Sequence, residues 1–364
     1  MKLYTCTNCK NPLYFENSTC LNCNHPVGFE AGKFSLITLD NNKNGYTAVD
    51  SKDMLYRYCS NATLGTCNWL VPVTQTSPFC IACELNRTIP ELSNSQNSEK
   101  WKRIEIAKHR LVYSLLKLRL PVAAKKTPDE TSGIAFDFMG DTSPTARVMT
   151  GHDNGVITLN IEEADEGELT RHKLDLGEKY RTLLGHFRHE IGHYYWDVLI
   201  KDSTHIEKFR QLFGNEEKDY EEALAEYYKK GIQPNWNDFF ISPYAAAHPW
   251  EDWAESWAHY MHMMDTLETA YSFGIGIHRR EMETEVDSDP YTIATFDKIV
   301  NMWFPLTFAV NSLNRSMGHA DFYPFIVSAP VIEKLRFIHE ICGVGQAPKP
   351  VTVKAVPANQ AAAT

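Results

Sequence analysis

Apolar positions recur at spacings of three and four along three long stretches of the chain, and each such stretch predicts a helix with one buried face. Between residues 99 and 120 the stripe is Ile104, Ala107, Leu111, Leu115 and Leu118, and the pattern stops before Pro121. Between 183 and 196 a proline-free run reads Leu183-Leu-Gly-His-Phe-Arg-His-Glu-Ile-Gly-His-Tyr-Tyr-Trp196. From His248 onward, Pro249 suits a first helical turn, where a missing N–H is no loss, and Trp250, Trp253, Trp257, Tyr260 and Met264 make an aromatic stripe. Ile134–Phe138 and Gly155–Asn160 read as strands between turn residues. Helical pattern returns over 215–230 and from about 280 to 344, including Val331–Cys342. The Ala/Pro/Val-rich tail 346–364 has too little apolar patterning to pack and is expected to be disordered.

At 364 residues the chain is long enough for one large domain and one small one. The polar run Ser93-Asn-Ser-Gln-Asn-Ser98 predicts a linker within 91–98, between a small module at 1–90 and a large domain at 99–345. The expected fold class is α+β, a mostly helical large domain with a small sheet. No apolar run approaches the roughly 18 residues of a membrane span.

Cysteine usage changes the picture of the small module. Eight of the nine cysteines precede residue 84. Cys6-x₂-Cys9 and Cys20-x₂-Cys23 are two knuckles that present four thiolates to one tetrahedral ion, the zinc-ribbon signature. Cys59, Cys67, Cys80 and Cys83 form a looser second set of four. Disulfides would need an oxidising compartment, and Met1-Lys-Leu-Tyr-Thr-Cys6 has no signal-peptide pattern, so the expectation is a cytoplasmic protein with two structural zinc ions. Residues 1–96 hold seven Lys/Arg and seven Asp/Glu, and the whole chain stands at −10. Such a module has no basic surface to release counterions from a phosphate backbone, so nucleic acid is not the expected partner.

The sharpest chemistry lies at His189-Glu-Ile-Gly-His193. On a helix, positions i and i+4 share a face, so His189 and His193 can address one metal ion, while Glu190 is turned about 100° away and sits beside it. That is the arrangement of a zinc hydrolase, with two ligands and a general base. The stripe Glu251, Glu255, His259, His262 on the tryptophan-rich helix offers the missing ligand. Glu251 completes a His₂Glu set, and Glu255, one turn on, can hold the outer nitrogen of a ligand histidine. Tyr244 and His248 enter that helix and are the candidate donors to a tetrahedral oxyanion, Tyr244 preferred because a phenol stays protonated at neutral pH. His186 and His152 are expected to support the ligands rather than join them, and Arg188 to pair with an acidic neighbour.

The Glu251-Asp-Trp-Ala-Glu255 spacing resembles the glutamate-zincin peptidases, in which the first glutamate binds the metal. More closely, the chain resembles the bacterial family of zinc-binding metallopeptidases that carry an N-terminal zinc-ribbon domain. The resemblance rests on Cys67-Asn-Trp-Leu-Val-Pro72, Phe79-Cys-Ile-Ala-Cys83 through Pro90, Thr150-Gly-His-Asp-Asn-Gly155 through Leu159, Tyr180 through Trp196 and His248 through Glu255. It implies a zincin-like domain with one catalytic Zn²⁺ and a peptide or protein substrate, with Gly155–Asn160 as the sheet edge that meets the substrate and, the stretch from His193 to Glu251 being long for the class, 200–245 as an insertion covering the cleft. The alternative is a zincin-fold binding module that keeps its metal without turnover, its ribbon serving recognition.

Overall fold

A computed structural model describes residues 2–127, 130, 132–141, 148–165, 182–278 and 282–345, so the tail expected to be disordered lies outside the described residues. The chain opens with a short antiparallel pair, β1 (Tyr4–Thr5) and β2 (Pro12–Leu13). A five-stranded antiparallel meander follows: β3 (Val27–Glu30), β4 (Ser35–Asn42), β5 (Gly45–Ala48), β6 (Leu55–Tyr58) and β7 (Leu70–Pro72). Strand β8 (Asn86–Thr88) leaves this module and pairs in parallel with β9 (Ala135–Met139) of the large domain. With β10 (Gly151–Asp153) and β11 (Val156–Asn160), they make a four-stranded sheet in the order β10-β11-β9-β8.

Helix α1 (Ser95–Lys117) links the two parts. The polar run expected as a linker is instead the cap and first turn of this helix. Asn94 Oδ1 accepts from the Gln96 amide at 3.0 Å, and the Ser/Asn/Gln side chains that follow stay largely in solvent. The two parts share one apolar core running from Tyr4 to Val344. Tyr113 of α1 packs edge-on against Phe15 and Phe29, with ring centroids 5.3 and 5.8 Å apart. A module this small buries little apolar surface of its own, and docking on α1 supplies what it lacks.

The large domain is built on two helices. Helix α2 (Leu183–Leu199) is capped by Thr182, whose hydroxyl accepts from the Gly185 amide at 3.0 Å. After α3 (Ile206–Phe213) and α4 (Tyr220–Lys230) comes α5 (Pro249–Phe273), which ends on Gly274 in the left-handed conformation. Helices α6 (Phe296–Ser316) and α7 (Ala329–Cys342) cover the far side of α5. Among the described residues no helix is long and apolar enough to cross a membrane.

The expected edge strand needs correction. Strand β11 is paired on both sides, with β10 antiparallel and β9 parallel, so β10 is the edge. Asn154 and Gly155 both have positive φ, the two-residue turn that Asn-Gly favours, and it folds Gly151–Asp153 back as an outer strand.

Helices α2 and α5 cross at Gly192. A side chain there would meet Ala254 Cα at 3.1 Å and Trp257 Cβ at 3.2 Å. Trp253 Nε1 donates to the Gly192 carbonyl at 2.9 Å, locking the crossing. Glycine costs a helix about 1 kcal/mol relative to alanine, so its presence here reflects close backbone approach. Gly192→Val is expected to destabilise the protein by roughly 1–3 kcal/mol through overpacking, read as a lower thermal midpoint. A midpoint at or above that of the wild type would contradict this account of the crossing.

Candidate metal centre

Burial of α2 and α5 against each other brings three ligand-type atoms to one point. His189 Nε2 lies 3.2 Å from His193 Nε2 and 3.0 Å from Glu251 Oε2, and His193 Nε2 lies 3.6 Å from that same oxygen. All three residues are buried, and Glu251 Oε2 has no hydrogen-bond donor. Ligands at about 2.0–2.1 Å from a tetrahedral zinc stand about 3.3–3.4 Å from one another, so the observed triangle fits a zinc ion. Its orphaned buried carboxylate oxygen is the atom such an ion would satisfy.

Each group is oriented from outside. His189 Nδ1 donates to Glu255 Oε1 at 2.7 Å, which fixes the tautomer and leaves the Nε2 lone pair toward the site. The Tyr220 hydroxyl donates to Glu251 Oε1 at 2.6 Å. Trp250 packs on His193, with ring centroids 3.8 Å apart. Glu190 stands off this triangle, its Oε1 3.2 Å from His186 Nε2, while His186 Nδ1 meets Glu163 Oε2 at 2.5 Å. Glu163 in turn accepts from the Thr150 hydroxyl at the start of the edge hairpin.

The electrostatics follow from these contacts. Burial alone would lower the His186 pKa, but the carboxylates of Glu163 and Glu190 outweigh it and push it up to about 9. Burial would raise the Glu190 carboxyl, yet the hydrogen bond from His186 and the charges of three histidines hold it below the usual carboxylate range. Burial also opposes charge on His189, and Glu251 and Glu255 reverse this, raising its pKa well above the ordinary value.

The structure sorts the remaining candidates. His248 caps α5: its Nδ1 accepts from the Trp250 amide at 3.1 Å, and its Nε2 meets the Lys218 carbonyl at 3.2 Å. Both ring nitrogens are committed to backbone, so its expected role as an oxyanion donor is corrected to that of an N-cap. The Tyr244 ring lies 6.1 Å from that of His189. Arg188 pairs with Asp265 of α5, away from the site. His152, on the edge strand, stacks 6.3 Å from His193 and accepts from the Gly155 amide at 2.9 Å. Beside it a cavity of about 560 Å³ opens, lined by Trp250, Tyr220, Trp196, Asp153, Asp197 and Glu216 among others. Tyr220, Glu163 and Thr150 were not singled out by sequence. Each reaches the site from a different segment, and only the acidic, aromatic composition of 215–230 hinted at the first.

The cysteines form two further clusters, Cys6, Cys9, Cys20, Cys23 and Cys59, Cys67, Cys80, Cys83, each with all its sulfurs within 4.8 Å of one another. Sulfur atoms lie 3.7 Å apart in Cys6–Cys23, 3.5 Å in Cys9–Cys20 and 3.7 Å in Cys67–Cys80. The edge of a tetrahedral Cys₄ zinc site is about 3.8 Å, whereas a disulfide would be about 2.05 Å. Both clusters therefore fit zinc.

Comparison with known proteins agrees with this chemistry. A family described as "Putative zinc-binding metallo-peptidase" matches residues 97–341, and a zinc-ribbon domain family matches 3–94. Uncharacterized proteins of Mycobacterium tuberculosis and Mycobacterium bovis are 40% identical over 342 residues, covering 94% of this chain and 95% of theirs. No solved structure matches the chain.

The geometry separates ligand from neighbour. Glu251→Ala is expected to empty the His₂Glu site in an equilibrium zinc titration while leaving metal on the cysteines. Glu255→Ala should weaken that site by only about 10–100-fold, because it orients a ligand without being one. The reverse ranking would show that the wrong carboxylate has been assigned to the metal.

Proposed function

Because the chain belongs to the zinc-binding metallopeptidase family matched over residues 97–341, we propose that it is a zinc-dependent hydrolase of peptide or amide bonds, of the glutamate-zincin type. In this reading His189, His193 and Glu251 hold one catalytic ion, and the two cysteine clusters hold one structural ion each. Zinc held there would supply Lewis-acid chemistry, acidifying a water to a pKa of about 7 and polarising a carbonyl.

The observation that carries the proposal is the position of Glu190. It sits next in sequence to a ligand, off the ligand triangle, and is kept ionised by His186. A carboxylate so held can take a proton from water and return it to a leaving amine. His186 occupies Oε1 and so leaves Oε2 for the reacting water. Tyr244 is the proposed donor to the oxyanion, its phenol kept protonated by burial and the nearby charge of Glu251. The open edge of β10 and the cavity beside it give an extended peptide or protein substrate a place to lie. A purely metal-bearing binding module would need neither an ionised Glu190 nor the Glu163–His186 pair behind it.

Glu190→Gln is expected to keep its fold and full zinc content and to lose hydrolysis of a peptide library by about 10²–10⁴-fold. Turnover by the wild type that chelators abolish and zinc restores is the accompanying requirement. Undiminished hydrolysis by Glu190→Gln would remove this residue from the mechanism. Zinc-loaded wild type without turnover across the library would favour the binding module.

A further inference from the structure

The second cysteine cluster has an additional neighbour. His109 lies on α1, outside the stretch matched by the zinc-ribbon family, and is buried, 4% exposed. Its Nε2 stands 3.7 Å from Cys83 Sγ and 4.0 Å from Cys80 Sγ. In a tetrahedral site of three thiolates and one imidazole, nitrogen and sulfur are about 3.6 Å apart. His109 is thus already near ligand spacing from two of the four sulfurs.

Its orientation is also that of a ligand. Nδ1 lies 2.6 Å from the Glu105 carbonyl oxygen, which can only accept, so Nδ1 carries the proton. In the neutral ring this leaves the lone pair on Nε2, facing the cluster. Trp69 packs edge-on against the ring at 5.2 Å. Glu105, the other buried ligand-type side chain nearby, has Oε1 accepting from Lys108 Nζ at 2.7 Å and Asn86 Nδ2 at 3.0 Å, while its Oε2 accepts from Cys83 Sγ at 3.7 Å and so meets a single cysteine of the cluster among the described contacts. Among the four cysteines, Cys67 alone is not fully buried.

We propose that His109 is a fifth, ligand-competent member of the second zinc site. The site can hold its ion through Cys59, Cys80, Cys83 and His109 as well as through four thiolates, and Cys67 is the ligand His109 replaces. The peptidase domain thereby contributes to retaining a metal otherwise bound by the ribbon module.

The test uses the full-length chain and the metal alone. Cys67→Ala is expected to keep the wild-type number of bound zinc ions, and Cys67→Ala/His109→Ala to bind one fewer. With Co²⁺ in place of zinc, Cys67→Ala should show thiolate-to-metal absorption reduced by one thiolate and ligand-field bands moved to shorter wavelength. Loss of one ion from a folded Cys67→Ala protein would overturn the proposal, as would full metal content in the double variant. If Cys67→Ala does not fold, His109→Ala alone decides the matter. It should transfer one zinc to a chromophoric chelator about tenfold faster than the wild type, a poised ligand's absence being felt on partial dissociation. An unchanged rate would overturn the proposal.

Discussion

A buried carboxylate oxygen with no donor is the constraint on which the large domain turns. Glu251 Oε2 lies between two imidazole nitrogens at 3.0 and 3.6 Å, shielded from water. An ionised group so placed is costly unless positive charge reaches it, whether as protons on the histidines or as a metal ion among the three. The close crossing of α2 and α5 at Gly192, where a Cβ would crowd Ala254 and Trp257, brings ligands on both helices to one point.

Helix α5 distributes its buried acids in the same economical way. Asp252 pairs with Lys334 of α7 at 2.6 Å, Glu255 with His189 of α2, and Asp265 with Arg188 of α2. Glu268 accepts from the Tyr113 hydroxyl of α1 at 2.6 Å and meets Lys117 at 3.1 Å. Each carboxylate thus ties α5 to a specific neighbour, and breaking one would leave an uncompensated buried charge. This framework fixes the helix on which Glu251 rides, while the Thr150–Glu163–His186 chain fixes Glu190 from the sheet side. The site is therefore held by two independent sets of contacts, one from the helices and one from the edge hairpin.

How much of this was legible depended on whether the signal was local. The i, i+4 spacings of His189/His193 and Glu251/Glu255 are properties of single helices, and the structure brings these four residues together. The knuckle spacing of the first cysteine set is local in the same sense. Tyr220 reaches Glu251 across 31 positions and Glu163 reaches His186 across 23, contacts that no helical period announces. The edge position is not fixed by the pattern within β11 itself, although Asn154-Gly155 marks the turn that places Gly151–Asp153 outside it. The supposed linker at 93–98 was a helix start, because Asn and Ser signal a cap as readily as a loop. The sharing of one core between the cysteine-rich module and the large domain has no sequence signal, since Phe15, Phe29 and Tyr113 are as consistent with separate cores.

In the proposed function a zinc ion belongs among His189, His193 and Glu251, apart from the cysteine sites. Anomalous diffraction from crystals of the zinc-loaded protein, recorded on either side of the zinc absorption edge, addresses it most directly. Three peaks per chain are expected, one within each cysteine cluster and one within about 2.0–2.2 Å of His189 Nε2, His193 Nε2 and a Glu251 oxygen. Peaks at the cysteines alone, with the histidine pair bridged only by protons or water, would contradict it.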